Sequence, residues 1–274
     1  MSIEEKMRLF WDNPVISWHE HLWSADDTYS SFADSEFKVL KYMETVGFDR
    51  IVCSFPITDD KYCPPERFIA ANNLIYKATQ MYPGKIYGMA FVNPGYQKEA
   101  LAEAERCVKE LGFVGIKLYH QYTMDNPIQF PLIEKCIELD IPILMHSAHV
   151  LDAATRKRQP RISDGFHMAN AARRYPEATF LMAHIGGGGD WKWSIKAIAD
   201  CPNVYADIGG SVYDSPMIEE SVKLLGADRI LFATDGLYSS CVGKILGADI
   251  SEEDKKTILS GKAFERFIRK GGVR

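Results

Sequence analysis

The tetrapeptide Trp18-His19-Glu20-His21 follows the first apolar run of the chain, Pro14-Val15-Ile16-Ser17. Side chains on a strand alternate between faces, so two histidines two positions apart share a face and can grip one ion, while Glu20 points away. Three later apolar runs end in the same kind of residue. His146 closes Leu144-Met145-His146-Ser147, His184 follows Met182-Ala183, and Asp235 closes Phe232-Ala233-Thr234-Asp235-Gly236. Imidazole nitrogens and a carboxylate suit Zn²⁺, with Mn²⁺ and Fe²⁺ as alternatives, and a catalytic ion keeps one position open for water. Any one of these histidines alone is better read as a satisfied core or surface residue. Their shared position at the ends of apolar runs argues for one site distributed along the chain.

Such a site needs a frame that brings the ends of distant runs together. Short β-type runs alternate with helical patterns throughout, the sequence sign of a parallel sheet with crossover helices. Eight strands are expected at Val15–His21, Arg50–Pro56, Ile86–Val92, Val114–His120, Ile141–Ser147, Thr179–Ile185, Val204–Gly209 and Arg229–Asp235. Gln97–Leu111 puts Leu101, Ala104, Val108 and Leu111 on one stripe and stops at Gly112, a suitable C-cap. Further helices are expected at Glu36–Val46, Arg67–Tyr82, Leu132–Leu139, Phe166–Tyr175, Lys192–Ala199, Ile218–Leu225 and Glu252–Leu259. Eight strands with helices between them predict an α/β fold, a closed (β/α)8 TIM barrel. In such barrels the chemistry lies at the C-terminal ends of the strands, where His19, His21, His146, His184 and Asp235 all fall.

Composition sets the outer bounds. With 274 residues, 46% of them apolar and 25% charged, the chain can bury a substantial core, and no linker divides it, so one domain over 1–274 is expected. A net charge of -5 with scattered Lys and Arg argues against nucleic acid as a partner. Met1 to Trp11 lacks the apolar core of a signal peptide and no stretch is apolar enough to span a bilayer, so no membrane partner and a cytoplasmic location are expected. Six cysteines without a CxxC pair read as reduced core or pocket thiols.

Taken together, His19-Glu20-His21, Gly115-Ile116-Lys117-Leu118, His146, His184-Ile185-Gly186-Gly187, Thr234-Asp235 and the closing Leu259-Ser260-Gly261-Lys262-Ala263 are specific. Through them the chain resembles the amidohydrolase superfamily, in particular the branch containing aminocarboxymuconate semialdehyde decarboxylase. The resemblance implies that His19, His21, His146 and Asp235 hold one divalent ion, with His184 beside its water as general base or electrostatic partner. Asp235 would share the proton handling. A metal-dependent hydrolase acting on a small amide, lactone or related carbonyl compound through a metal-activated water is the first functional expectation. The alternative is a nonoxidative decarboxylase of a small unsaturated or aromatic acid, and a noncatalytic metabolite-binding barrel comes third. The relatives also imply a homodimer. The chain departs from the family at Lys262, where an Asn that often braces the last βα turn is usual.

Lys117 alternates with Val114, Ile116 and Leu118, an apolar set expected to face the helices, so Lys117 points into the barrel. Some superfamily members carboxylate a strand-four lysine to bridge two metals; an unmodified Lys117, binding a substrate carboxylate or paired with a wall carboxylate, is the expectation here. Lys117, His120, His149 and Arg161 are the expected contacts to a small-molecule substrate, although a solvated loop role fits His149 and Arg161 equally well. The run Gly186-Gly187-Gly188-Gly189 before Asp190 reads as a flexible turn that lets substrate approach, not as a phosphate loop.

Overall fold

The computed structural model describes residues 2–25, 31–32, 38–58, 62–185, 187 and 189–271. Its strands are β1 (Ile16–His21), β2 (Arg50–Ser54), β3 (Ile86–Phe91), β4 (Gly115–Leu118), β5 (Ile143–Met145), β6 (Phe180–Met182), β7 (Val204–Asp207) and β8 (Ile230–Leu231). They form one parallel sheet in the order β1 to β8, each strand paired with the next. The sheet closes on itself through Trp18 N, which donates to Phe232 O at 3.0 Å, and Asp235 N, which donates to His19 O at 3.0 Å. The molecule is therefore a (β/α)8 barrel.

Each strand lies inside its expected run but is shorter. The difference is mostly at the C-terminal ends, where His120, His146, His184 and Asp235 lie beyond the last residue of their strands.

The covering helices are α1 (Ile3–Trp11), α2 (Lys38–Tyr42), α3 (Pro65–Met81), α4 (Gln97–Lys109), α5 (Phe130–Leu139), α6 (Ala153–Arg158), α7 (Gly165–Arg174), α8 (Trp191–Ala197), α9 (Met217–Leu225), α10 (Tyr238–Gly247), α11 (Glu252–Ser260) and α12 (Glu265–Gly271). The helix expected at Glu36–Val46 is split. Its residues 36–37 lie outside the described residues, α2 covers the middle, and a π-helical turn over Met43–Gly47 ends at Gly47, whose φ of 94° only glycine adopts readily. The sequence reading omitted α1, α6, α10 and α12. For α1 a signal was present, since Ser2 and Glu5 form a reciprocal capping box. For α6 there was none, because its residues are polar or small and none is buried.

Two apolar layers hold the barrel. The outer one packs strand residues such as Ile51, Ala90, Ile116 and Ile143 against the helices. The inner one fills the lower barrel with Ile16, Trp18, Val52, Met89, Leu144, Leu181 and Leu231, closed beneath by Phe264 and Phe267. Val114 belongs to this inner layer and not to the helix-facing set, because it precedes the first paired residue of β4 at the barrel base. Ile116 and Leu118 do face the helices. The floor is apolar, so polar groups that point inward above it have one another for company.

Candidate metal centre

β1 delivers two histidines through an irregularity. Its pairing with β2 shifts register between Ser17 and Glu20, so Trp18 reaches the apolar floor and its neighbour His19 reaches the space above. His19 Nδ1–H donates to Asp207 Oδ2 at 3.1 Å, and His21 Nδ1–H donates to Ser54 O at 3.3 Å beside Ser54 Oγ at 3.1 Å. Each bond spends the ring's proton on the far nitrogen, so both Nε2 atoms present lone pairs to the barrel axis. They stand 3.1 Å apart. Asp235 Oδ1 lies 3.2 Å from His21 Nε2 and 3.7 Å from His19 Nε2.

Glu20 points away from the axis, as strand alternation requires, and holds the turn that presents Asp235. It accepts hydrogen bonds from Ser17 Oγ, from Thr234 Oγ1 at 2.6 Å and from Gly236 N at 3.2 Å. Burial pushes its carboxyl up to about 7, against those bonds. Lys262 lies at the opposite end of the barrel, beside Pro14 and Arg50, so the departure there leaves the Asp235 turn untouched and Glu20 does the bracing.

Asp235 has φ 49° and His184 has φ 42°, left-handed conformations that cost non-glycine residues energy. His184 is held there by its N–H, which donates to Asp207 Oδ1 at 2.8 Å, and by close packing. A Cβ on Gly187 would lie 2.1 Å from His184 Nδ1. A Cβ on Gly189 would likewise meet the carbonyl oxygen of His149 at 1.8 Å. Those two glycines permit close approach of chain to chain; Gly186 and Gly188 lie outside the described residues. Asp190 spends its carboxylate capping α8, accepting from the amides of Lys192 and Trp193.

His184 Nε2 stands 3.7 Å from Asp235 Oδ2. Burial drives its imidazole down to about 4, and burial also lowers His19 and His21, so all three are neutral near pH 7. Burial would raise Asp235, but the surrounding imidazoles hold it far below the usual carboxylate range.

Lys117 points inward as expected, but its partner is an imidazole. Nζ donates to His19 Nε2 at 2.7 Å, and burial pulls the ammonium down to about 8. Two lone pairs and a carboxylate oxygen converging within 4.8 Å form a donor set of the kind that holds a cation. Nitrogen and oxygen donors on an ion with bonds of about 2.0–2.2 Å stand roughly 3–3.5 Å apart, so His19, His21 and Asp235 fit a divalent ion.

Three of the four expected ligands thus come together. The fourth, His146, is displaced: its ring stacks on Tyr119 at 4.1 Å and its Nε2–H donates to Gln159 Oε1 at 3.2 Å. It lies against His184, ring to ring at 4.8 Å. His120 packs on Tyr119 behind it, and Arg161 lies 5.3 Å above the ring of Tyr122. His149 does not join the group. Its Nδ1–H donates to Asp164 Oδ2 at 3.0 Å, and Asp164 also takes His167, three residues on, at 2.7 Å in the capping box of α7. The sequence reading missed Asp207, Ser54 and Gln159. Asp207 carried a signal, a lone carboxylate ending an apolar strand and followed by Gly209-Gly210.

Comparison with known proteins gives a family match over residues 18–261, to the family described as amidohydrolase. A 2-keto-4-carboxy-3-hexenedioate hydratase from a Sphingobium species is 24% identical over 73% of this chain and 71% of its own. A gamma-resorcylate decarboxylase from a Polaromonas species is 27% identical over 72% of this chain and 74% of its own. A dihydroxybenzoic acid decarboxylase from Polaromonas, solved with manganese and 2-nitroresorcinol, superposes with a TM-score of 0.68 at 20% identity. That superposition covers 93% of this chain and 97% of the other.

Proposed function

The chain belongs to the amidohydrolase family, and from that premise we propose that it is a nonoxidative, metal-dependent decarboxylase of a small unsaturated or aromatic acid. The family makes it an enzyme of the amidohydrolase superfamily, whose members bind a divalent metal. The single observation that carries the finer reading is Lys117, a fully buried cation whose Nζ touches the ion-binding group. A neutral amide or lactone offers no charge to match it, whereas an acid does. The relatives lean the same way, towards the alternative of the sequence reading and away from hydrolysis, since a decarboxylase and a hydratase stand among them.

His19, His21 and Asp235 would hold the ion, with His146 as the fourth donor once it gives up Gln159. When bound, a divalent ion polarises the oxygens of the acid and stabilises the charge that develops as the carboxylate departs. Zn²⁺ and Fe²⁺ suit the donor set, and the manganese in a neighbour makes Mn²⁺ the first ion to load. In the reaction the bond between carbon and carboxylate breaks, its electron pair stays on carbon, and that carbon takes a proton as CO₂ leaves. Lys117 pairs with the substrate's charge and orients it. His184, neutral in the free site and beside Asp235, relays the proton to that carbon. The apolar floor beneath excludes water from the lower barrel.

The test is turnover of a panel of small lactones, amides and unsaturated or aromatic acids by metal-loaded protein, with CO₂ and released acid recorded together. CO₂ release from an acid, with lactones and amides unchanged, is the expected result. Hydrolysis of a lactone or amide without CO₂ would return the protein to the hydrolases. Water addition to an unsaturated acid is the second reading, favoured by the hydratase relative.

A further inference from the structure

The segment after β5 is strongly charged and overhangs the candidate site. A β-bridge between Ser147 and Ser163 ties its ends together, and Ser163 Oγ is pinned by Met124 N at 2.9 Å. Between them stand Arg156, Lys157, Arg158 and Arg161 against one carboxylate, Asp152, in a chain of net charge -5. Asp152 is committed to the N-cap of α6, where it accepts from Thr155 N at 2.7 Å. Asp164, the next carboxylate along, is taken by His149 and His167. Among the described residues no ion pair is formed by Arg161, although its side chain is half-buried against Tyr122.

This segment reaches the site at Gln159, and two residues further on Arg161 packs over Tyr122. Gln159 accepts the Nε2–H bond of His146. The charge of Arg161 bears on His120, whose imidazole burial and that charge together hold below its ordinary value. The His120 ring is in turn 6.4 Å from the ring of His146. A guanidinium set over an aromatic ring still presents its planar fork, and that fork is suited to a carboxylate.

We propose that Arg161, two residues beyond the Gln159 that holds His146, is a binding site for a second carboxylate, so that the substrate is a dicarboxylic acid reaching from Lys117 to the segment after β5. The inference rests on the reading of the site as one that acts on a small acid. It says which acids are preferred: those with an anionic group remote from the reacting one. The clustered cations of α6 then raise the local concentration of such dianions at the mouth.

Calorimetric binding of benzoate and isophthalate to the manganese-loaded protein tests this without requiring turnover. A charge-assisted hydrogen bond contributes enough for about a tenfold or greater preference for isophthalate in the native protein. Arg161→Met is expected to weaken isophthalate by about tenfold or more and benzoate by less than about twofold, with Arg161→Lys recovering part of the loss. Circular dichroism of each variant should match the native protein. Equal binding of the two acids by the native protein, or an equal loss of both in Arg161→Met, overturns the proposal. An isophthalate preference in a protein that releases CO₂ from no acid would leave this site standing and remove the decarboxylase reading instead.

Discussion

At the scale of single residues, the centre works by assigning each ring nitrogen a fixed duty. Asp207 and Ser54 fix the tautomers of His19 and His21, so the two Nε2 lone pairs meet before any ion arrives. Asp207 also holds the backbone of His184, so one carboxylate positions both the proposed ligand His19 and the proposed proton carrier. Replacing Asp207 and His184 separates those duties. Asp207→Asn should lower metal affinity by about 10- to 100-fold, the usual cost of losing an outer partner of a metal-bound imidazole. His184→Asn should keep the metal while turnover falls by roughly 10² to 10⁴. Metal titration and steady-state rates of both variants check this; loss of metal from His184→Asn would make His184 a ligand. Strand alternation alone made the shared face of His19 and His21 legible. The identity of Asp207 as their support was not, since its contact to His19 joins residues 188 positions apart.

At the scale of elements, the barrel places the chemistry by ending its strands early. The eight runs could be read because each is β-rich and bounded by helical pattern, whereas the loops beyond them depend on contacts between loops. His149 illustrates the limit: it follows the fifth run as a substrate contact might, yet Asp164 claims it for the N-terminus of α7. That cluster has its own pH signature. Hydrogen bonds from His167 and His149 hold Asp164 well below the usual carboxylate range against the opposing effect of burial, and Asp164 raises His167. The depressed carboxylate adds stability that is present above its unfolded value near 3.9 and lost as pH falls below it. The raised histidine adds stability that is present below its unfolded value near 6.5 and lost as pH climbs through its folded value. Native protein should therefore exceed Asp164→Ala in stability most clearly near pH 5 to 6, by about 1 kcal/mol or more from the cap alone, with a smaller gap at about pH 9. Urea denaturation at the two pH values measures the gap, and an equal gap at both would remove the histidine's share.

At the scale of the whole molecule, the barrel separates a dry floor from a charged mouth. Trp18, Phe264 and Phe267 close the lower end, and the polar groups above them concentrate on one axis. The overall architecture was legible because eight regular alternations admit few closures, and the parallel order β1 to β8 realises the expected one. The placement of the candidate ligands was legible only in part, because the stacking of His146 on Tyr119 is a contact that no spacing rule encodes. Among the described residues no helix is long and apolar enough to cross a membrane. The account rests on one ion held by His19, His21 and Asp235 and used to release CO₂ from an acid. The most direct measurement is CO₂ release by chelator-stripped protein as Mn²⁺ is returned, followed together with bound metal per chain. Release should rise in proportion to bound metal and level off at one ion per chain, and Asp235→Ala should abolish both. Release that survives chelation, or that reaches its full rate in Asp235→Ala, would contradict the account.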